Sequence, residues 1–261
     1  MGRCTLKPTV LVTGGASRIG REICLRFAAM GYLIIVHTRS RALLADETAV
    51  ECCAKGAPQT RAYVHPLGNA SDARALINAV AKRCVENGTS LAGVVSNASL
   101  FVSDSINQMS DDLLIEHGMT NFILPVVMLR AFAQHHKQQK SNGWFTFISD
   151  QKIWNPNADF FSYTVSKGML PGALSNLAVA AAPHVRCNAL VPGLTLPSGE
   201  QSQENFNRVH DNTPLRRGTK CQDIAAACQF LSEAQSTTGQ CLFVDGGQRF
   251  TRSDRDVMFT G

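Results

Sequence analysis

Short apolar runs rich in β-branched residues alternate along the chain with longer stretches in which apolar positions recur every three or four residues. The short runs predict strands over residues 9–13, 33–37, 60–65, 93–96, 144–149, 186–191 and 241–244. The longer stretches predict helices near residues 20–29, 43–54, 72–86, 111–135, 163–182 and 222–232. This alternation implies βαβ units and an α/β fold: a doubly wound parallel sheet of about seven strands with helices on both faces. No repeat or low-complexity linker divides the chain, so residues 1–261 are expected to form one domain. Residues 194–213, rich in Ser, Gln, Glu and Asn, show little periodicity and are expected to be the longest loop, the kind that serves as a lid or binding segment. Pro171 has no N–H to give the helix predicted around it, so a kink or an early helix start is expected there.

At 261 residues and 44% hydrophobic content, the chain can bury a full core. Continuous apolar stretches such as Leu33-Ile34-Ile35-Val36 fall far short of the roughly 20 residues of a membrane span, so no membrane association is expected. The first residues lack an apolar signal region, which makes the cytoplasm the expected location. Gly2 is a weak match to a myristoylation site, because Leu6 stands where that motif has Ser or Thr. Nine cysteines without a paired CxxC array favour reduced thiols over a disulfide framework or a zinc site, and the adjacent Cys52-Cys53 carries no redox motif. The net charge is +5, and its densest cluster, His135 to Lys140, has no interleaved aromatics, so a nucleic-acid partner is not expected. The excess does suit an anionic small molecule.

The first predicted strand runs directly into Thr13-Gly14-Gly15-Ala16-Ser17-Arg18-Ile19-Gly20 and then a helix. Strand, glycine-bearing turn and helix start in succession form a pyrophosphate site: glycines allow the tight turn and close packing, and the helix N-terminus presents free N–H groups. About twenty residues on, where an NAD enzyme places an acid against the ribose hydroxyl, the second strand ends His37-Thr38-Arg39-Ser40-Arg41. Donors and positive charge in place of the acid favour a 2′-phosphate and therefore NADPH, an ordinary basic loop being the alternative. Tyr163 and Lys167 stand at i and i+4, on one face of a predicted helix. A neighbouring ammonium lowers a tyrosine pKa and makes the phenol a usable acid or base near neutral pH.

Joined to Asn97-Ala98-Ser99, Pro192-Gly193 and Asp245-Gly246-Gly247, these motifs resemble the short-chain dehydrogenase/reductase superfamily, from about Thr9 to Gly247. The resemblance implies a Rossmann-like fold with Tyr163 as general acid, Lys167 lowering its pKa and binding the nicotinamide ribose, and Asn121 holding a proton-relay water. It places Gly14, Arg18, Ile19, Gly20, His37, Arg39, Ser40, Asn97, Ala98, Pro192 and Gly193 around the cofactor. It also implies a homotetramer in which helices of the fourth and fifth crossovers pair, with residues 111–130 in that role.

The chain departs from the superfamily at Asp150, where a serine usually stands thirteen residues before the tyrosine. A serine hydroxyl donates to the oxyanion that grows as a ketone is reduced; an ionised aspartate only accepts. Asp150 therefore suits a substrate with N–H donors or an imine nitrogen awaiting a proton, unless a one-residue shift brings Ser149 into the site instead. Arg18 in a TGxxxRxG loop, Asp150, and Asn97-Ala98-Ser99-Leu100-Phe101 together resemble the pteridine reductases and the dihydromonapterin reductases. That resemblance implies a pterin substrate stacked on Phe101 and reached by Ser99, Arg18, Asp150 and Tyr163. A ketone or 3-oxoacyl reductase using Ser149, and a catalytically silent NADPH-binding regulator, are the alternatives. Two segments lie off the pattern: His65-Pro66-Leu67 has no acid to meet an adenine, and residues 248–261 are read either as reaching a neighbouring subunit or as a frayed end.

Overall fold

The computed structural model describes residues 7–199 and 201–260; Gly2, Cys4 and Leu6 lie outside them. Its strands are β1 (Lys7–Thr13), β2 (Leu33–Thr38), β3 (Thr60–Val64), β4 (Thr89–Ser96), β5 (Gly143–Ile148), β6 (Val185–Pro192) and β7 (Cys241–Val244). They form one parallel sheet in the order β3-β2-β1-β4-β5-β6-β7. The order reverses between β1 and β4, and ligands of such sheets bind in the crevice beyond the carboxyl ends of the strands at that reversal.

Neighbouring strand residues face opposite helix layers, which is why the strands read as continuous apolar runs. Val10 and Val12 pack with Ile23 and Phe27 of α1 (Arg18–Ala29), Ala45 and Cys52 of α2 (Ala42–Ala54), and Ile224 and Leu231 of α8 (Cys221–Glu233). Leu11 between them packs with Leu76 and Ile77 of α3 (Ala70–Glu86), Met128 and Phe132 of α5 (Leu124–Gln139), and Leu170 and Leu174 of α6 (Phe161–Ala181). Two separate apolar layers with the sheet between them make the doubly wound, Rossmann-like architecture expected from the pattern.

Three expectations are corrected. The helix expected over 111–135 is α4 (Asp111–Gly118), a π-turn (Met119–Ile123) and α5, so one extra residue is inserted where Asn121 stands. The run Asp111–Gln139 is long and apolar enough to cross a membrane by length and composition. In this fold its Leu124, Met128 and Phe132 are buried against the sheet. The unpatterned segment 194–213 contains a helix, α7 (Gln203–His210), started by the Ser202 hydroxyl accepting from the Asn205 N–H at 3.1 Å. α6 runs through Pro171 without a break in its helical residues, with Leu170 and Leu174 buried on either side of it. Finally, residues 248–260 are not frayed: they fold back onto the chain's own cleft through two short 3₁₀ turns, Gln248–Phe250 and Val257–Phe259.

Candidate active site

At the carboxyl ends of β1, β4, β5 and β6 opens a cleft of about 610 Å³. It gathers Gly14, Arg18 and Ile19 of the first turn, Asn97, Ser99 and Phe101 after β4, Asp150, Tyr163 and Lys167, and Pro192 and Gly193 at the end of β6. A neighbouring hollow of about 270 Å³ is lined by His37, Arg39, Ser40 and Ala98, with Gly14 and Ser99 shared between the two. Two predicted site residues line neither: Gly20 lies beneath the turn, and Asn121 lies behind Ser99 and Leu100.

The first turn is held from below. The Asn97 Nδ2 donates to the carbonyls of Thr13 and Gly14 at 3.1 and 3.2 Å, and the Thr13 hydroxyl accepts from the N–H groups of Asn97 and Ala98. Gly20 is required for this closeness: a Cβ there would collide with the Gly14 carbonyl and stand 2.6 Å from the Asn97 Nδ2. Across the cleft, a Cβ on Gly193 would lie 2.8 Å from the Asp245 Cα, which pins the end of β6 to the Asp245-Gly246-Gly247 turn. The residues fit a dinucleotide. A backbone cradle opens at the start of α1, basic side chains line the hollow beyond β2, and the buried Nδ1 of His37 has no partner. Burial lowers the His37 pKa to about 4, so this ring is neutral. His65-Pro66-Leu67 contributes Leu67, an apolar side chain, to the same hollow.

α6 carries Tyr163 and Lys167 into the cleft one turn apart, and its start is fixed from outside, where buried Asp104 accepts from the Ser162 N–H at 3.0 Å. The Tyr163 hydroxyl donates to Asp150 Oδ2 at 2.7 Å, while Asp150 Oδ1 accepts from the Lys152 N–H at 2.8 Å. Asp150, not Ser149, thus meets the tyrosine; the buried Ser149 hydroxyl has no partner among the described residues. Lys167 donates its Nζ to the Ile148 carbonyl at 2.8 Å.

These contacts reverse the expectation that Lys167 lowers the tyrosine pKa. Burial, then the Asp150 charge and its hydrogen bond, hold the Tyr163 phenol well above its ordinary value. Burial also raises the Asp150 carboxyl, against the opposing pull of the Lys152 N–H, the Tyr163 hydroxyl and Lys167. The Tyr163 phenol therefore carries its proton at neutral pH. Burial lowers Lys167 to about 8, so its ammonium is present below that pH and is lost as pH rises through it. If the ammonium is needed, kcat/KM falls as pH rises through about 8, and a pH–rate profile flat to pH 10 would show that it is not.

Asn121 joins the site through its carboxamide. Its Oδ1 accepts from the Ser99 hydroxyl at 2.9 Å and the Leu100 N–H at 2.8 Å, and its Nδ2 donates to the Leu100 carbonyl and the Ser166 hydroxyl, both at 3.0 Å. With both donors and both acceptor positions engaged, a relay water at Asn121 would have to be held by its main chain. Phe101 stacks on Phe160 with centroids 4.2 Å apart and meets Tyr163 edge to face at 4.7 Å. Phe101 remains 37% exposed as a residue, in keeping with aromatic surface open to a flat ligand.

Sequence reasoning missed Lys152, Phe160, Gln248, Asp256 and Met258. All but Phe160 line the cleft, and Phe160 backs Phe101. No local pattern marks them, because each reaches the site through a turn or the tail. Arg18 reaches further than its motif implies: Nη1 donates to the Pro197 carbonyl at 2.9 Å, tying the first turn to the segment after β6.

A family model described as enoyl-(acyl carrier protein) reductase matches residues 14–249. The putative ketoacyl reductase 2 of the granaticin polyketide synthase of Streptomyces violaceoruber is 30% identical over 92% of this chain and 95% of its own length. The L-xylulose reductase of Caenorhabditis elegans is 26% identical over 91% of this chain and 94% of its own. Among solved structures, FolM alternative dihydrofolate reductase 1 from Brucella canis, complexed with NADP, superposes with a TM-score of 0.84. It is 30% identical, covering 97% of this chain and 99% of that one. The same protein from Brucella suis, also with NADP, gives a TM-score of 0.83 at 31% identity, covering 95% and 97%.

Proposed function

This chain belongs to the short-chain dehydrogenase/reductase superfamily, and from that premise we propose that it is an NADPH-dependent reductase of a dihydropterin or dihydrofolate. The observation that carries the reading is the Tyr163–Asp150 hydrogen bond, 2.7 Å long, at the floor of the cleft. NADPH, when bound, would supply the hydride for a carbon of a pterin C=N bond. Tyr163, with Asp150 behind it, donates the proton to the nitrogen. Phe101 offers the stacking face, while Ser99 and Arg18 lie where polar edges of the pterin or phosphates of the cofactor can meet them. Lys167 holds the nicotinamide ribose, and Arg39 and Ser40 take the 2′-phosphate in the hollow beyond β2.

The test is NADPH oxidation with quinonoid dihydrobiopterin, dihydromonapterin, dihydrofolate and a β-ketoacyl thioester side by side. Turnover of a pterin supports the reading; turnover of the thioester alone overturns it. The thioester stands for the second reading, a ketone reductase. The likeness to a ketoacyl reductase and the unpartnered Ser149 hydroxyl at the cleft favour that reading. For the cofactor, Arg39→Ala should raise the KM for NADPH by about tenfold or more and leave that for NADH nearly unchanged, as loss of a charge-assisted hydrogen bond predicts. Equal effects on both cofactors would remove Arg39 from the 2′-phosphate.

A homotetramer acting in the reducing cytoplasm completes the reading. Support for assembly comes from α4 and α6, which leave Ile115, Val165 and Met169 exposed on neighbouring helices, with Ile123 exposed at the π-turn. Light scattering on the purified chain checks the oligomeric state.

A further inference from the structure

The carboxyl-terminal tail crosses the mouth of the cleft and is fastened on both sides. On one side Arg255 pairs with Asp159 at 2.8 Å, and Asp256 accepts from the Lys152 ammonium at 2.8 Å. That second pair is buried, with Lys152 6% and Asp256 13% exposed, and Nζ also donates to the Asn157 Oδ1 at 2.7 Å. On the other side the Thr260 carbonyl accepts from the Asn205 Nδ2 at 2.7 Å and from Arg208 at 2.9 Å, both on α7. Between these anchors Val257 and Met258 face the cleft, and the Phe259 ring lies parallel to Phe160, which itself stacks on Phe101.

Lys152 links this tail to the chemistry. Its ammonium is spent on Asp256 and Asn157, while its own N–H holds Asp150 Oδ1, leaving Oδ2 for the Tyr163 hydroxyl. A residue more than a hundred positions away in the chain thereby fixes the turn that orients the carboxyl group. We propose that residues 251–260 are a strap drawn across the substrate cleft, with Asp256 a positioning residue that acts through Lys152 on Asp150. The inference rests on the pterin reading for its substrate but not for its geometry. A buried pair broken from one side leaves an unpaired charge, so the turn loses its anchor when either partner is removed. The nicotinamide end of NADPH shares the cleft with the tail, but the hollow beyond β2, where its 2′-phosphate is expected, is lined by no tail residue, so the affinity for NADPH is expected to change little.

Three variants test this: Asp256→Asn, Lys152→Met and the double variant, with a fourth chain ending at Thr251. Each single change should lower kcat/KM for dihydrobiopterin by about tenfold, a loss of about 1.4 kcal/mol, with the KM for NADPH held within about twofold. The double variant should be no worse than either single one, as expected when two side chains act as one pair, and the shortened chain should lose at least as much. Trypsin gives a readout independent of turnover: cleavage after Arg252 and Arg255 should be slow in the native chain and fast in Asp256→Asn. Additive losses, an unchanged kcat/KM, an NADPH KM that rises in proportion, or equal cleavage in both chains would overturn the proposal. A native chain that turns over only the thioester refutes the pterin reading instead. The strap is then decided by the cleavage rates and by the same variants on the thioester.

Discussion

Tyr163→Phe will lower kcat for dihydropterin reduction by about 10²- to 10⁴-fold, the range expected when a positioned general acid is lost. The ring itself should stay in place. Tyr163 is packed edge to face on Phe101 at 4.7 Å, and phenylalanine fills the same volume, so the substitution removes only the hydroxyl that donates to Asp150. The buried carboxyl then lacks one of its two hydrogen-bond donors, which costs about 1–3 kcal/mol of stability and lowers the melting temperature. NADPH binding, followed by cofactor fluorescence, should be nearly unchanged, because the turn pinned by Asn97 does not depend on the phenol. A variant that keeps kcat within about tenfold would show that the proton reaches the nitrogen by another route.

The second large effect belongs to Asp150. Asp150→Ser should lower kcat/KM for the dihydropterin by about 10²-fold or more, comparable to removing one preorganised electrostatic contact to the reacting group. Serine can still accept from the Lys152 N–H, so the turn survives, but it supplies no carboxyl to hold the proton at Tyr163 or to accept from a pterin N–H. The same change gives the site the hydroxyl donor that ketone reduction uses, so activity on the β-ketoacyl thioester should hold or rise. Loss on the pterin with gain on the thioester would mark Asp150 as the residue that separates this chain from its ketoacyl-reductase relative. Loss on the thioester, with the pterin unaffected, would overturn both the role and the substrate. The pKa directions make the effect more than steric: burial raises Asp150, and its charge helps hold Tyr163 protonated.

The fold was legible because its signals are local. All seven predicted strands overlap observed ones; the inner strands, buried on both faces, announce themselves as apolar runs, and the partly buried edge strands β3 and β7 by their β-branched and aromatic residues. The errors cluster where local pattern is weakest or misleading. α7 is short and polar, held by Ser202 at its start, with only Phe206 buried, and so it shows almost no apolar periodicity. The π-turn at Asn121 leaves no trace in a periodicity count, because one inserted residue shifts the phase of a helix that is apolar on either side of it.

The candidate site divides the same way. Gly14 to Gly20, Asn97 to Phe101, and Tyr163 with Lys167 are contiguous or one helical turn apart, so the chain by itself determined that they would share the carboxyl edge of the sheet. Only the tertiary structure decided that Asp150 rather than Ser149 meets Tyr163, because a one-residue phase at the end of β5 is set by how the following turn is anchored. It also reversed the sense of the tyrosine pKa, since burial and a carboxylate neighbour are properties of packing rather than spacing. The tail, unreadable as sequence, acquired its place through Lys152 and Asp256: two ordinary polar residues 104 positions apart become a buried pair only once the chain has folded around them.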